Sequence, residues 1–161
     1  MASQPKLKTE NIVTMLNLKF AKLGQFALTL FLFSSCGTKL HDRKEIELSM
    51  QKYDQLIQKM NEDSIAMLYA KDGDLGQMAH GRDSIRNFLA TFKNYKVLSQ
   101  SSTTDSITIV GNSSIQIGKY RQVVITPDND TVTVKGEYKA NWIWATEQGW
   151  LIKKMETKPL K

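Results

Sequence analysis

The 161-residue chain carries 22 Lys and Arg against 16 Asp and Glu, is 41% hydrophobic and 9% aromatic, and has one cysteine. That length excludes a large multidomain enzyme, and a lone cysteine excludes both an intrachain disulfide framework and a cysteine-based zinc site. The formal charge of +6 is spread along the chain: residues 1–35 hold Lys6, Lys8, Lys19 and Lys22 against Glu10, and the remainder has 18 basic and 15 acidic residues without a cluster. No basic stripe interleaved with aromatics occurs, so no nucleic-acid partner is expected.

The first segment reads as a targeting signal. Lys19 and Lys22 precede the apolar run Phe26–Phe33, and Ser34-Ser35-Cys36 follows. A positive region, a short apolar stretch and small residues before a cut are the parts of a secretory signal. The run is shorter than the roughly 20 residues that a membrane-spanning helix needs. Phe33-Ser34-Ser35-Cys36 resembles the bacterial lipoprotein lipobox, with Phe where Leu is usual. The resemblance implies cleavage before Cys36 and acylation of its thiol. Residues 1–35 are then the signal, with Met15 as the expected true start, and 36–44 a polar tether that includes His41. At about 0.8 kcal/mol per buried methylene, two or three acyl chains would hold the protein on a bacterial envelope membrane, facing the periplasm or the exterior.

Helices are expected next. Ile46, Met50, Tyr53, Leu56, Ile57 and Met60 recur at three- and four-residue steps, which predicts an amphipathic helix over 45–60. Asp63 or Ser64 caps a short second helix over 65–69. Lys71-Asp72-Gly73-Asp74 reads as a turn. A third helix follows Arg82-Asp83-Ser84, with Ile85, Phe88, Leu89 and Phe92 on one face.

Beyond Tyr95 the period changes to two. The expected strands are 97–101, 106–110, 114–125, 131–145 and 150–156, joined by Gly111-Asn112-Ser113, Pro127-Asp128-Asn129-Asp130 and Glu147-Gln148-Gly149. In the strand over 131–145 the even positions, Val132 to Trp144, are apolar and face the helices. The odd positions Thr133, Lys135, Glu137, Lys139 and Asn141 are polar. The matching face of the last strand reads Trp150, Ile152, Lys154, Glu156. The reading is an α+β domain over 45–159, three helices packed on a curved antiparallel sheet.

Tyr69-Ala70-Lys71-Asp72-Gly73-Asp74, then His80-Gly81-Arg82-Asp83-Ser84-Ile85-Arg86-Asn87-Phe88-Leu89, then Trp142-Ile143-Trp144 and Gly149-Trp150-Leu151-Ile152 resemble the NTF2-like superfamily, its SnoaL-like and DUF4440-type branches in particular. The resemblance covers about residues 44–159. It implies a cone-shaped fold with a cavity between helices and bent sheet, and homodimers joined through the outer sheet face. Members include isomerases, dehydratases, cyclases and non-catalytic binding modules, so the fold does not give the function.

Each candidate site residue has an ordinary alternative. Asp72 is a proton-transfer candidate or a turn residue, and Asp74 likewise. His80 is a proton donor to the cavity or a loop residue bonding the helix start. Tyr120, which shares a strand face with Gly118 and Gln122, and Tyr69 supply pocket hydroxyls or core packing. Trp142, Trp144 and Trp150 read as core, with Trp142 and Trp144 also at the cavity wall. Lys154 and Glu156 are a charged pair at the cone mouth or a solvated strand end. Two separated histidines predict no metal site, Ser84 has no triad partners, and no cofactor motif occurs. Three functions follow: a membrane-anchored, non-catalytic domain binding a small hydrophobic ligand; an interaction or dimerisation module; and an isomerase, dehydratase or cyclase using Asp72, His80 or Tyr120.

Overall fold

The computed structural model describes residues 40–160. The predicted signal, Met15, Cys36 and the first part of the tether lie outside them.

Helix α1 (Arg43–Lys59) starts at Asp42, whose carboxylate accepts the Glu45 N–H at 2.9 Å, and stops at Met60 in a left-handed conformation, φ 48°. Satisfying an orphan donor in this way fixes the helix start. Ile46, Met50 and Ile57 form its buried stripe. Helix α2 (Glu62–Met67) is capped by Asn61, which accepts the Ser64 N–H at 2.8 Å; neither Asp63 nor Ser64 is the cap, and the helix starts three residues earlier than its sequence suggests.

The expected turn at Lys71–Asp74 is instead part of strand β1 (Tyr69–Leu75), which pairs in parallel with the last strand. Pairing with a neighbour overrides the local Asp-Gly preference. Strand β2 (Ala79–His80) folds back on β1, and Gly81, at φ 77°, turns the chain into helix α3 (Arg82–Ala90). Arg82 clasps this corner: its Nε donates to the Tyr69 carbonyl at 2.7 Å and an amino group to Gln148 at 3.0 Å.

Strands β3 (Lys96–Val110), β4 (Ser113–Ile125), β5 (Thr131–Ala145) and β6 (Gly149–Pro159) form an antiparallel meander, and the six-stranded sheet runs β2-β1-β6-β5-β4-β3. The two strands expected over 97–110 are one, interrupted at Asp105, where the pairing with β4 skips a residue. Such a bulge bends a strand and shifts its alternation.

A second bulge changes the inner face of β6. Asn141 pairs with Lys154 but Trp142 pairs with Ile152, leaving Lys153 extra. The buried series therefore runs Trp150, Ile152, Met155. Lys154 and Glu156, expected on that face, are displaced from it and pair with each other at 2.8 Å, both partly exposed. The core lies between the helices and the inner sheet face, with Ile46, Ile65, Ile85, Trp142, Ile152 and Met155 almost wholly buried. Each such side chain contributes about 1.5–3 kcal/mol by leaving water.

The domain begins earlier than the tether reading placed it. His41 is 8% exposed, its ring centroid 4.4 Å from that of Trp144 and 4.7 Å from that of Trp150. Its Nδ1 lies 2.7 Å from Glu45 Oε2, which also accepts the Trp150 indole N–H at 3.0 Å.

Candidate functional site

The bend in the sheet opens a cavity of about 260 Å³ between α1, α3 and the inner faces of β3 to β6. Its apolar walls include Met50 and Ile57 of α1, Phe88 and Leu89 of α3, and Met155 of β6. Its polar groups are neutral: the hydroxyls of Tyr53, Ser102, Tyr120, Tyr138 and Thr157 and the amides of Gln100 and Gln122. Among the described residues no Asp, Glu, His, Lys or Arg lines it, and no three His, Cys, Asp or Glu side chains converge to hold a metal ion.

Asp54, one step behind this wall, holds part of it in place. Its carboxylate accepts the Ser102 N–H at 2.8 Å, the Ser102 hydroxyl at 2.7 Å and the Gln100 amide at 3.0 Å. Hydrogen bonds to a charged group contribute about 1.5–3 kcal/mol each. The edge strand β3 is thereby fastened to α1, and two cavity side chains are fixed. On the other side, the Trp142 indole N–H donates to Gln116 Oε1 at 3.1 Å, and the Gln116 amide donates to Thr104 Oγ1 at 2.8 Å. The Tyr138 hydroxyl lies 3.4 Å from that same Thr104 oxygen. Gln116, 0% exposed, is satisfied at both ends.

The phenols stay protonated at neutral pH. Burial pushes the Tyr53 hydroxyl up to about 12. It raises Tyr120 and Tyr138 as well, the bond between Tyr138 and Thr104 partly opposing the rise. Burial and the neighbouring Tyr53 raise Tyr69 well above its ordinary value too. Tyr69 belongs to the core rather than the cavity lining, and its hydroxyl is buried without a hydrogen bond of good geometry. A neutral lining of this kind can orient a ligand through hydrogen bonds. It holds no group that exchanges a proton readily at neutral pH.

The other sequence candidates lie elsewhere. Tyr120 is in the cavity wall. Trp142 is buried against Gln116, and Trp144 and Trp150 flank His41 beside a separate groove at the start of α1. Asp72 is exposed and paired with Lys153 at 2.6 Å, which holds its carboxyl below the usual range. His80 is exposed on β2, with Nδ1 2.6 Å from Asp74 Oδ1. Both partners are brought up by the pairing of β1 with β6 and β2, which the turn reading of Lys71–Asp74 leaves out. Lys154 and Glu156 are absent from the cavity wall. Tyr53, Gln100 and Ser102 were missed as site residues, and Tyr138 was read only as part of the apolar face. Tyr53 was legible as an inward helix position, whereas nothing local marks Gln100 and Ser102.

The SnoaL-like domain family matches residues 38–156. No protein of curated function matches the sequence. Among solved structures, an NTF2-like superfamily protein from Salmonella enterica superposes with a TM-score of 0.63 at 16% identity, over 73% of this chain and 90% of that one. A ketosteroid isomerase-like protein from Erwinia carotovora gives 0.64 at 11% identity, over 73% and 95%. A conserved protein from Planctomyces limnophilus gives 0.64 at 13%, over 74% and 98%. Likeness at such identities shows the fold alone. With the family match spanning most of the chain and the cone of helices and bent sheet in place, this chain belongs to the SnoaL-like domain family and has the NTF2-like fold.

Proposed function

We propose that the protein is a lipid-anchored binding domain that holds a small, neutral, largely apolar ligand in its cone. The observation that carries this reading is the cavity lining, apolar walls with neutral hydroxyls and amides and no ionisable acid or base that titrates near neutral pH. The placement of Asp72 and His80 on the surface supports binding over proton transfer. The volume is just under the roughly 300–1,000 Å³ of ordinary ligand sites, and it exceeds the about 150 Å³ that accepts a benzene ring. A substituted ring or a bicycle is the right size.

The anchor is Cys36, on the pattern Phe33-Ser34-Ser35-Cys36. Dimerisation through the outer sheet face belongs to the same proposal, supported by Ile115 and Ile117, each 43% exposed on β4. Light scattering in low salt tests it.

The ligand reading is tested by calorimetric titration of the full chain, held in an amphipathic polymer instead of detergent, with naphthalene and 2-naphthol. Both should bind, and Tyr120→Phe should weaken only 2-naphthol, by about 0.5–1.5 kcal/mol. Failure of both to bind would overturn the reading. The anchor is tested separately, by mass spectrometry of the native protein: an acylated N-terminal Cys36 is expected, and an unprocessed soluble chain would exclude it.

A further inference from the structure

The cone cavity has a second chamber beyond it. Ile57, Leu89, Phe92 and Gln122 line the inner cavity and also line an adjoining groove of about 340 Å³ at the C-terminal ends of α1 and α3. These four side chains are thus the partition between the two spaces. The chambers differ in chemistry. The inner one gathers three phenols, two amides and two aliphatic hydroxyls, whereas the outer one is walled by Val97, Val124, Val132 and Val134, with Met60 at its rim. Gln122 is at the partition itself, and Thr126 and Tyr95 are the other polar side chains of the outer wall.

A compact ring would fill the inner chamber and leave the valine-lined groove wet, at a cost of about 25 cal/mol for each Å² of apolar surface left in water. A ligand with one neutral polar end and one extended alkyl chain uses both chambers. Its polar end meets the hydroxyls and amides within, and its chain crosses where Ile57, Leu89, Phe92 and Gln122 border both spaces, to lie on the valines. We propose that the ligand class is a neutral long-chain amphiphile bound polar end first, with its tail in the groove beside Val124, Val132 and Val134. This rests on the reading of the cone as a ligand site and narrows it. A carboxylate or phosphate head is disfavoured, because the inner lining offers no cation to pair with a desolvated anion.

The test is a series of 1-alkanols from butanol to dodecanol, titrated calorimetrically into the full chain in the same amphipathic polymer. Affinity should rise about fourfold per methylene, without a break at the length the inner chamber alone would hold. Val132→Trp fills the outer groove from a position that is 42% exposed, so the fold is little disturbed. It should stop the rise at the shorter alkanols while leaving butanol and hexanol unchanged. Tyr120→Phe should weaken every alkanol by the same few-fold factor. A wild-type plateau at short alkanols, or a Val132→Trp effect equal at all lengths, would overturn the two-chamber ligand while leaving ring binding intact. If neither alkanols nor 2-naphthol bind, the cone reading itself falls, and this one with it.

Discussion

Tyr120 lies directly across from Gly136 in the β4–β5 ladder, and its ring occupies the space that a side chain at 136 would need. A methyl group there would stand 2.5 Å from Tyr120 Cε1 and 2.6 Å from the Lys158 carbonyl oxygen. The arrangement recurs two pairs along, where Tyr138 lies opposite Gly118 and a methyl group at 118 would come within 2.1 Å of the Thr103 carbonyl oxygen. Two tyrosines laid over two glycines thus line the cavity at this point of the sheet. Aromatic cover of a strand glycine is a recognised device for holding bent sheets.

It follows that Gly136→Ala and Gly118→Ala both overpack the bend. Each should cost about 1–3 kcal/mol, Gly118→Ala the more because its backbone approach, 2.1 Å to the Thr103 carbonyl oxygen, is closer than the 2.6 Å that Gly136 has to that of Lys158. Urea melts of the two variants check the order. An unchanged midpoint for Gly118→Ala would contradict the close approach.

Gln116 should be as sensitive for a different reason. Gln116→Leu keeps the volume but leaves the Trp142 indole N–H buried without an acceptor, and removes the amide donor to Thr104. An orphaned buried donor costs about 1–3 kcal/mol, so the denaturation midpoint should fall while the secondary structure by circular dichroism is unchanged. A neutral substitution would mean that water reaches the indole.

The apolar alternation of β5 is readable because a strand with one face on a core repeats every two residues, and Tyr138, Ala140 and Trp142 do so; in β4 the buried positions include the polar Ser114 and Gln116, with Ile115 and Ile117 turned outward. What failed was phase and pairing. The bulges at Lys153 and Asp105 are one-residue slips set by neighbouring strands, so Lys154 and Glu156 moved off the inner face without any local signal. The pairing of β1 with β6 joins residues some eighty positions apart, so Lys71–Asp74 looked like the turn its composition favours. Gln100 and Ser102 became cavity residues through Asp54, a contact between a helix and an edge strand that no spacing rule reveals.

Burial of the phenols sets an alkaline limit on stability. Tyr53 is raised to about 12 in the folded protein, against about 10 when unfolded, and Tyr69 is raised as well. A group whose folded value is the higher contributes stability that is complete below the unfolded value. That stability is lost as pH rises toward the folded value, because only the unfolded chain releases the proton in that window. The urea midpoint should therefore be level to about pH 9.5 and then fall between pH 10 and 12. Tyr53→Phe should make that fall shallower, and an identical alkaline limb in the variant would place the cause elsewhere.

The surface acids and histidine give the contrasting forecast. Lys153 holds the Asp72 carboxyl below its usual range, chiefly through their hydrogen bond. A carboxyl depressed on folding stabilises the protein above the ordinary carboxylate range, and that contribution disappears as pH falls through the lowered folded value. Asp72→Asn should thus alter only the acid end of a stability profile, and slightly, since an exposed pair is screened by water. Neither Asp72→Asn nor His80→Gln should change ligand affinity, because neither residue lines the cone. For the same reason binding of a neutral ligand should be flat from pH 5 to 8: the phenols that face it titrate far above that range, and Asp54 acts from behind Ser102 and Gln100. Calorimetric affinities of 2-naphthol at pH 5, 6.5 and 8 decide the matter for wild type and both variants. A bell-shaped dependence that vanished in Asp72→Asn or His80→Gln would move the chemistry from the cavity to the β1–β2 hairpin and favour the enzyme.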